Sequence, residues 1–574
     1  MSFISVVPAI RTPFGVDVFD YRLGDESDIH VGDLIRVPFR NRPMPGLVVS
    51  VSPHSEFAAR AVEVKDLTPL VRFPATLVPL LDRSAARVFA SRPTVLHSWL
   101  RSVPKRVVPF EVSFRHGQAA LPSDMSEWST DRSSAVVRRV QSSIGRILVL
   151  CPWRQRAESL GRLLEAPVLH ADLADGAAWK TWSSFASKPD GILVSTRIGA
   201  WLSAFADAVI IEEPENDDYK SDELAPRLDA RWIVRTANSY RPSLSVIRIG
   251  TTPPLTCEND FVRDIAPEIS VDVTYSMFQT KGRSDVPGLS PESVEAIDAA
   301  VEERLPVVIL HPIRGEWSRV ACRDCGWNAV CANCGFSVMR TASGTRCGRC
   351  GTQGEIRPTC PNCGGADLGK GRAGSDRLAA DIGRRFGEGP RVVDLSVWNA
   401  ITLEPKSLVI VTDLSLIGGV VEDVRRRERL LIAWRRLAAD VASVDGRLIV
   451  QGPEDLMTES RGWLTSDGVR KAWQDECKER AAFGYPPARQ LIRILKDGPA
   501  KDAESIALRL RIAIPESWEI RGPFPVPYRP KSREARSVIQ VLPSPDVMED
   551  VIKPILEPFA RESIIDLDPI AFLG

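Results

Sequence analysis

Eight of the eleven cysteines in this 574-residue chain fall within residues 322–364, where they form four Cys-x-x-Cys pairs. Two thiolates separated by two residues can share one tight turn and bind the same Zn²⁺, and two such turns complete a closed tetrahedral site. In every pair the second cysteine is followed by glycine, which accepts the positive φ of such a turn. The segment therefore predicts a module with two structural zinc ions and no open coordination position for catalysis.

Two pairings of these turns are compatible with the spacing. The stretch between the second and third pairs alternates apolar and polar residues around Ala342-Ser343-Gly344, which predicts a β-hairpin. A hairpin favours a nested arrangement, in which the first and fourth pairs close around the second and third; an interleaved cross-brace is the alternative. In the nested arrangement one ion is held by Cys322, Cys325, Cys360 and Cys363, and the other by Cys331, Cys334, Cys347 and Cys350.

The composition restricts what surrounds this module. Apolar residues make up 44% of the chain and charged residues 26%, which is ordinary for globular protein. The longest apolar runs are strand-sized, and the N-terminus lacks a signal-peptide pattern, so we expect a cytoplasmic protein with reduced thiols and no membrane partner. The formal net charge is 0, so contacts with nucleic acid would depend on local basic surfaces.

Short alternating strands interrupted by Gly and Pro predict a small β-rich domain over residues 1–104, and the polar stretch from about 105 to 135 predicts a linker or loop. Apolar strands then alternate with amphipathic helices, which predicts parallel sheets covered on both faces. The first set of strands is RILVLCP (146–152), APVLHA (166–171), GILVST (191–196), DAVIIEEPE (207–215) and LSVIRIGTTPP (244–254); the second is PVVILHP (306–312), RVVDLS (391–396), SLVIVTD (407–413) and GRLIVQG (446–452).

The chain resembles the PriA (primosomal protein N′) family of replication-restart helicases nearly end to end. Phe-Asp-Tyr at 19–21 with the following RVPFR resembles the start of the family's 3′-DNA-end-binding domain, and the eight-cysteine module opening CRDCGW is the family's most distinctive feature. ERAAFGYPPARQ (479–490), GPFPVP and the final DLDPI resemble its C-terminal domain. The family's winged-helix domain has no room here.

The resemblance implies an α/β multidomain protein with two degenerate RecA-like helicase lobes. A β-rich 3′-DNA-end-binding domain would occupy residues 1–104, the first lobe 105–275, and the second lobe 276–474 with the two-zinc module inserted at 318–370. An α/β C-terminal domain would occupy 475–574.

The expected phosphate-binding loop, G-x-x-x-x-G-K-[ST], is missing from the first lobe. No lysine occurs from 106 to 179 and no glycine from 118 to 144, although the loop needs its lysine and its glycine backbone to hold nucleotide phosphates. The chain is therefore expected to lack helicase activity and to have no ATP cofactor.

The family's other motifs for nucleotide hydrolysis and its coupling to DNA are altered as well. Its acidic box reads Glu212-Glu213-Pro214-Glu215 here, and without a phosphate loop we expect these carboxylates to be solvated at the strand end. The coupling motif survives partly as GTTPP (250–254), while the loop DELAPRLDAR has none of the family's aromatic residues. Asp440 stands where the resemblance places the arginine finger, which reverses the charge offered to a phosphate.

The resemblance also implies binding residues. Phe19, Asp20 and Tyr21, with Arg60, would bind a free 3′ DNA end, although Arg40 stands where the family has a small residue. Arg536 and Gln540 would receive the acidic tail of the single-stranded-DNA-binding protein, inside a basic patch widened by Arg529, Lys531 and Arg533. Basic residues in and beside the zinc module could face a fork: Arg323, Arg340, Arg346, Arg349, Arg357, Lys370 and Arg372.

Three functions are compatible with these features. The favoured one is a primosome protein that binds stalled or branched forks and recruits other replisome proteins without hydrolysing ATP. An ATP-dependent 3′–5′ DNA helicase with degenerate motifs is the first alternative, and a zinc-ribbon protein of transcription or RNA metabolism is the second.

Overall fold

The computed structural model describes most of the chain. Outside the cysteine-rich segment it describes residues 2–24, 28–39, 42–64, 67–101, 103–112, 124–221, 226–255, 266–277, 285–313, 374–399, 401–419, 423–526, 536–545 and 547–572. Within that segment it describes residues 320, 322, 325, 327, 329–332, 338–341, 344–347, 352–355, 357–366 and 368. These residues form a mixed α/β fold.

The first sheet lies near the N-terminus, where the sequence pattern predicted a β-rich domain, but three of its strands bury runs of three consecutive residues in place of the expected strict alternation. Two helices follow, and the Ser91 side chain caps the second by accepting from the Thr94 amide. The strands in spatial order are β5 (Val62–Val64), β2 (Phe19–Leu23), β1 (Ser2–Pro8), β4 (Arg42–Ser52), β3 (Asp33–Phe39), β6 (Val71–Arg72) and β7 (Phe110–Glu111), and the helices are α1 (Leu77–Arg87) and α2 (Arg92–Leu100).

The second sheet is parallel throughout, with helices against both faces. Its spatial order is β10 (Val168–Leu169), β11 (Gly191–Ser195), β9 (Arg146–Leu150), β12 (Ala208–Glu212), β13 (Ser245–Gly250) and β8 (Asp124–Trp128). Its helices are α3 (Arg132–Ser142), α4 (Arg154–Leu163), α5 (Asp175–Ala186) and α6 (Ala230–Tyr240), with 3₁₀ turns at Arg197–Ala204 and Asp217–Tyr219. The predicted linker over 105–135 is wrong in part, because it contains β7, β8 and the start of α3.

A third sheet, also parallel, follows. Its spatial order is β14 (Asp272–Met277), β21 (Arg447–Gly452), β20 (Leu408–Val411), β15 (Val307–Leu310) and β19 (Arg391–Val393). Its helices are α7 (Pro291–Glu302), α8 (Ser375–Phe386), α9 (Leu395–Trp398), α10 (Arg426–Ala442), α11 (Glu454–Gly462) and α12 (Ser466–Phe483). The sequence pattern missed β14, an edge strand.

The cysteine-rich segment lies between β15 and β19 and carries a small sheet of β16 (Val338–Thr341), β17 (Gly344–Cys347) and β18 (Gln353–Gly354). β16 and β17 pair antiparallel, with Val338 opposite Cys347 and Thr341 opposite Gly344. The predicted hairpin is therefore confirmed.

The C-terminal sheet is antiparallel, in the order β23 (Glu519–Val526), β24 (Arg536–Leu542), β22 (Ile492–Asp497) and β25 (Ile564–Leu567). It carries α13 (Ala500–Ala513) and α14 (Glu549–Leu556). β25 also contacts the part of the chain that forms the second sheet. There the buried ammonium of Lys220, which follows the 3₁₀ turn Asp217–Tyr219, forms an ion pair with Asp566 of β25 at 2.7 Å. Among the described residues, no helix combines the length and apolarity needed to cross a bilayer.

Candidate functional site

The first site lies at the carboxyl edge of the second sheet, where β8 ends. Only Ser129, Thr130 and Asp131 separate β8 from α3, and the Asp131 side chain caps the helix by accepting from the Ser134 amide at 3.0 Å. A loop this short contains no glycine cradle for phosphates. The first residue of the helix is Arg132, which is buried.

Arg132 joins two carboxylates that come from different parts of the chain. One guanidinium nitrogen donates to Glu213 at 2.5 Å, and the other donates to Asp440 on α10 at 2.5 Å. Burial alone would lower the pKa of Arg132, but the charges of Asp440 and Glu213 raise it well above its ordinary value. The same ion pair lowers the pKa of Glu213 although burial opposes this. Arg132 and Glu213 are therefore both charged at neutral pH, and the guanidinium of Arg132 lies between two carboxylates.

The acidic box is the second component of this site. Glu213 has a backbone φ of 50°, in the left-handed region that non-glycine residues seldom adopt. Glu212 is fully buried and accepts from Arg156 of α4 at 2.7 Å. Our expectation that these carboxylates are solvated is therefore wrong, because arginines of α3 and α4 pack directly against them.

Glu215 differs from its neighbours because it is buried without such a partner. Its side chain is 7% exposed, and its Oε2 has no hydrogen-bond partner among the described residues. Burial and, secondarily, the negative charge of Glu213 raise the pKa of Glu215 to about 8. This carboxyl group is therefore mostly protonated near neutral pH.

Helix α10 closes the site from the side of the third sheet. The Arg436 guanidinium lies 4.5 Å from the centre of the Trp153 ring and 3.8 Å from Glu213. The fully buried Arg435 donates to Thr252 Oγ1 at 3.2 Å and to the Pro267 carbonyl at 2.7 Å. Thr252 belongs to the GTTPP stretch, so α10 holds that stretch through hydrogen bonds of the protein itself.

Four cysteines of the inserted module form a candidate metal centre. The thiols of Cys322, Cys325, Cys360 and Cys363 all lie within 4.8 Å of one another. Cys322 Sγ is 3.5 Å from Cys363 Sγ, and Cys325 Sγ is 3.7 Å from Cys360 Sγ. Zn–S bonds of about 2.3 Å place tetrahedral thiolates about 3.8 Å apart, so this donor set fits Zn²⁺.

Neighbouring N–H groups support this cluster. The Asn362 side chain donates to Cys325 Sγ at 3.5 Å, and the Asn362 amide donates to Cys360 Sγ at 3.4 Å. The Asn362 hydrogen bond contributes most to lowering the pKa of Cys325 to about 6. A hydrogen bond from the Gly365 backbone lowers the pKa of Cys363, but hydrogen bonds with the Cys325 and Cys322 thiols outweigh it, so this pKa is raised. Of the other four predicted ligands, Cys331 and Cys347 pack together in one buried cluster. Cys334 and Cys350 lie outside the described residues.

The predicted DNA-end residues lie on β2 and beside it. Asp20 is opposite Ser5 on β1 and accepts from Ser5 Oγ at 2.8 Å; its second oxygen accepts from Ser55 Oγ. Phe19 is partly exposed and packs edge-on against Phe39, with the ring centres 5.0 Å apart. Arg60 is exposed. Arg40 lies outside the described residues.

Tyr21 does not fit a direct role in DNA binding. Its side chain is 5% exposed and lies in the core of the N-terminal sheet, and its hydroxyl donates to the Pro38 carbonyl at 2.9 Å. The prediction is corrected because Tyr21 points to the buried face of β2, where it anchors the strand that carries Asp20.

The chain is similar to known proteins both in its N-terminal part and over most of its length. Residues 9–101 match the family model of the PriA 3′ DNA-binding domain (3′BD). A "Probable replication restart protein PriA" of Mycobacterium leprae is 22% identical over 601 aligned positions, covering 89% of this chain and 89% of that protein. This chain belongs to the PriA family.

Other PriA relatives align over shorter stretches. The replication restart protein PriA of Thermotoga maritima is 24% identical over 407 residues, which cover 62% of this chain and 54% of that protein. The Haemophilus influenzae PriA is 25% identical over 235 residues, 39% of this chain and 32% of that protein. The chain thus matches about half of the first relative and about a third of the second.

A crystal structure described as a hypothetical ATP-dependent RNA helicase from Sulfolobus tokodaii aligns with 59% of this chain, and the alignment covers 89% of the helicase chain. The identity is 13% and the TM-score 0.18, a likeness too weak to carry an argument.

The partner-binding residues implied by the PriA resemblance lie on β24. Arg536 forms a two-point ion pair with Asp497, and one of its nitrogens lies 2.6 Å from Asp497 Oδ2. Gln540 is fully buried, and its amide donates to the Phe572 carbonyl at 2.9 Å. The direct role predicted for Gln540 does not fit this position, because the chain's own C-terminal segment occupies its amide. Arg529, Lys531 and Arg533 lie outside the described residues.

Sequence reasoning missed the arginines that define the first site. A usable signal was present for Arg132, since Ser133 and Ser134 directly follow it and a hydroxyl residue also follows the lysine of G-x-x-x-x-G-K-[ST]. Arg156, Arg435 and Arg436 lie on amphipathic helices among many exposed arginines, and nothing in the pattern marks them as buried.

Proposed function

We propose that this PriA-family chain is a replication-restart protein that binds stalled or branched replication forks and recruits other replisome proteins without hydrolysing ATP. The contact of Arg132 with Glu213 and Asp440 carries this proposal. Arg132 occupies the helix start where a lysine would meet nucleotide phosphates, and its charge is already neutralised by two carboxylates.

The charges of the site also oppose nucleotide binding. A phosphate entering beside Arg132 would meet Glu213, Asp440 and the buried Glu212, and it would have to separate ion pairs with N–O distances of 2.5 Å. Breaking a buried ion pair costs about 3–5 kcal/mol when one partner is left uncompensated. We infer that the two parallel-sheet units are degenerate RecA-like lobes held together by this network in place of a nucleotide.

We further propose that the module binds two zinc ions in the nested arrangement. The cluster of the first and fourth pairs and the buried contact of Cys331 with Cys347 both support nesting. When bound, Zn²⁺ would supply four-thiolate cross-links that hold the module's turns in place.

DNA recognition is assigned to the N-terminal unit. Asp20 would accept a hydrogen bond from the 3′ hydroxyl at a nascent strand end, Phe19 would stack on a base or sugar, and Arg60 would contact phosphate. The Ser5 and Ser55 contacts support this role because they fix the Asp20 carboxylate while leaving lone pairs of its oxygens available.

Fork binding by the purified chain tests the proposal. We expect Asp20→Ala to weaken binding to forks with a 3′ hydroxyl, and to leave binding to matched forks with a 3′ phosphate unchanged. Ser55→Ala should have a smaller effect in the same direction. No preference for forks over linear duplex would contradict the proposed function, and ATP-dependent unwinding would support the helicase alternative.

A further inference from the structure

A cavity lies between the N-terminal sheet with its two helices and the second sheet with its helices. Its volume is about 500 Å³, and it is lined by the end of α2, the start of α5, the 3₁₀ turn Arg197–Ala204 and α6. Small-molecule sites in proteins occupy about 300–1,000 Å³, so a nucleotide unit fits this volume.

Three arginines and one carboxylate line this cavity: Arg11, Arg101, Arg197 and Asp175. Arg11 is exposed and has no hydrogen-bond or ion-pair partner among the described residues. Arg197 donates to the Asp218 carbonyl at 3.2 Å, and Arg101 lies 3.6 Å from the exposed Asp175. Unlike Arg132, these guanidinium groups are therefore not neutralised by buried carboxylates.

The floor of the cavity is apolar and aromatic. Trp99 and Trp201 both line it and stack with their ring planes 6° apart and their centres 6.1 Å apart. Trp99 is 6% exposed, and its indole N–H has no acceptor among the described residues. A ligand with an anionic group, a flat apolar ring and hydrogen-bond acceptors would match both the rim and the floor.

We propose that this cavity binds a nucleotide unit of single-stranded DNA. The phosphates contact Arg11, Arg101 and Arg197, and the base lies against the apolar floor. The α2 side of the cavity belongs to the matched 3′ DNA-binding domain, so an unpaired nucleotide beside the DNA end has a short path to it. This inference rests on the proposed function and adds a second DNA contact, separate from Asp20.

Two double variants test the inference. Arg11→Ala with Arg197→Ala removes two predicted phosphate contacts. Arg162→Ala with Arg511→Ala removes two exposed arginines whose side chains have no hydrogen-bond or ion-pair partner among the described residues. Arg162 lies on α4, which packs against the opposite sheet face, and Arg511 lies on α13. Affinity for a labelled oligo(dT) of about 20 nucleotides, longer than the ~4–16 nucleotides of typical single-strand sites, is measured at several salt concentrations.

Loss of two contacts should make the negative slope of log K against log[salt] shallower by about 1.4, since each single-strand phosphate contributes about −0.7. The control double variant should keep the wild-type slope. In the wild-type protein, oligo(dT) should protect Arg11 and Arg197 from phenylglyoxal, as read by mass spectrometry, while dTMP or ATP at the same nucleotide concentration should not.

An unchanged slope with unprotected arginines, in a protein that still binds forks, would overturn this inference alone. Equal protection by dTMP or ATP would make the cavity a site for free nucleotides and overturn the assignment to a DNA strand. A wild-type protein that binds neither oligo(dT) nor forks would overturn the proposed function itself.

Discussion

Arg132 donates to the carboxylate of Asp440 at 2.5 Å, although the two residues stand 308 positions apart and lie on helices of different parallel sheets. Glu213 completes the contact from the strand-end turn of the second sheet. The interface between the two sheets thus contains a buried cation and two carboxylates of the protein at the point where the proposed RecA-like arrangement would place nucleotide phosphates.

Removing the cation should destabilise the protein. Arg132→Met leaves Glu213 and Asp440 close together with Arg436, 3.8 Å from Glu213 and 3.9 Å from Asp440, as their remaining cation, so we expect the free energy of unfolding in urea to fall by about 3 kcal/mol. The matched control is Arg138→Met on the same helix, whose exposed pair with Glu127 should contribute about 0–1 kcal/mol. Equal losses for both variants would show that the Arg132 network does not hold the units together.

The buried Glu215 should make stability depend on pH. Its pKa in the folded state is about 8, against an ordinary value of 4.5, so the folded protein keeps a proton that the unfolded chain has lost. The unfolding free energy contributed by this group therefore falls as pH rises from about 4.5 to 8. Glu215→Gln should gain stability over wild type across this window, by on the order of a few kcal/mol at its upper end.

The control for Glu215 is Glu504→Gln, an exposed position on α13. Its stability relative to wild type should not change with pH. Urea titrations at several pH values measure both variants, and a Glu215→Gln difference that stays constant from pH 5 to pH 8 would contradict the assignment of the raised pKa.

Zinc analysis of double variants should separate the two pairings. In the nested arrangement Cys322 and Cys360 share one ion, so Cys322→Ser with Cys360→Ser should retain one zinc per chain. Cys322→Ser with Cys347→Ser should retain none. Interleaving the first pair with the third would reverse these two results. Cys477→Ser, outside the module, should retain both ions.

The ion pair between Arg536 and Asp497 should control capture of the acidic tail. Arg536→Ala should weaken binding of a peptide with the tail sequence of the single-stranded-DNA-binding protein. Asp497→Asn should strengthen it, because the guanidinium then has no internal carboxylate competing for it. Calorimetric titration measures both, and tail affinity that does not respond to either substitution would remove Arg536 from the partner site.

Local patterns in the sequence predicted the elements that are buried on both faces. RILVL is fully buried in β9, and its apolar run identified it as a strand. DMSEW in β8 escaped notice because it lies at a sheet edge with a single neighbouring strand, where polar residues are tolerated. The cysteine spacing predicted a metal cluster because all its ligands lie within one short segment.

The sites that depend on distant contacts could not be predicted in the same way. No local rule relates Arg132 to Asp440, and the sequence does not show that Gln540 meets the Phe572 carbonyl. The family resemblance supplied residue positions for Tyr21 and Gln540, but only the structure shows that packing has buried them.

Hydrolysis of ATP in the presence of forked DNA tests the central claim most directly. The purified wild-type chain, saturated with a synthetic fork carrying a free 3′ hydroxyl, should release phosphate no faster than the no-enzyme background. Arg132→Lys, which places a lysine at the start of α3, should not restore hydrolysis because Glu213 and Asp440 remain beside it. Fork-stimulated hydrolysis by the wild-type protein that is lost on Glu213→Gln would contradict the account.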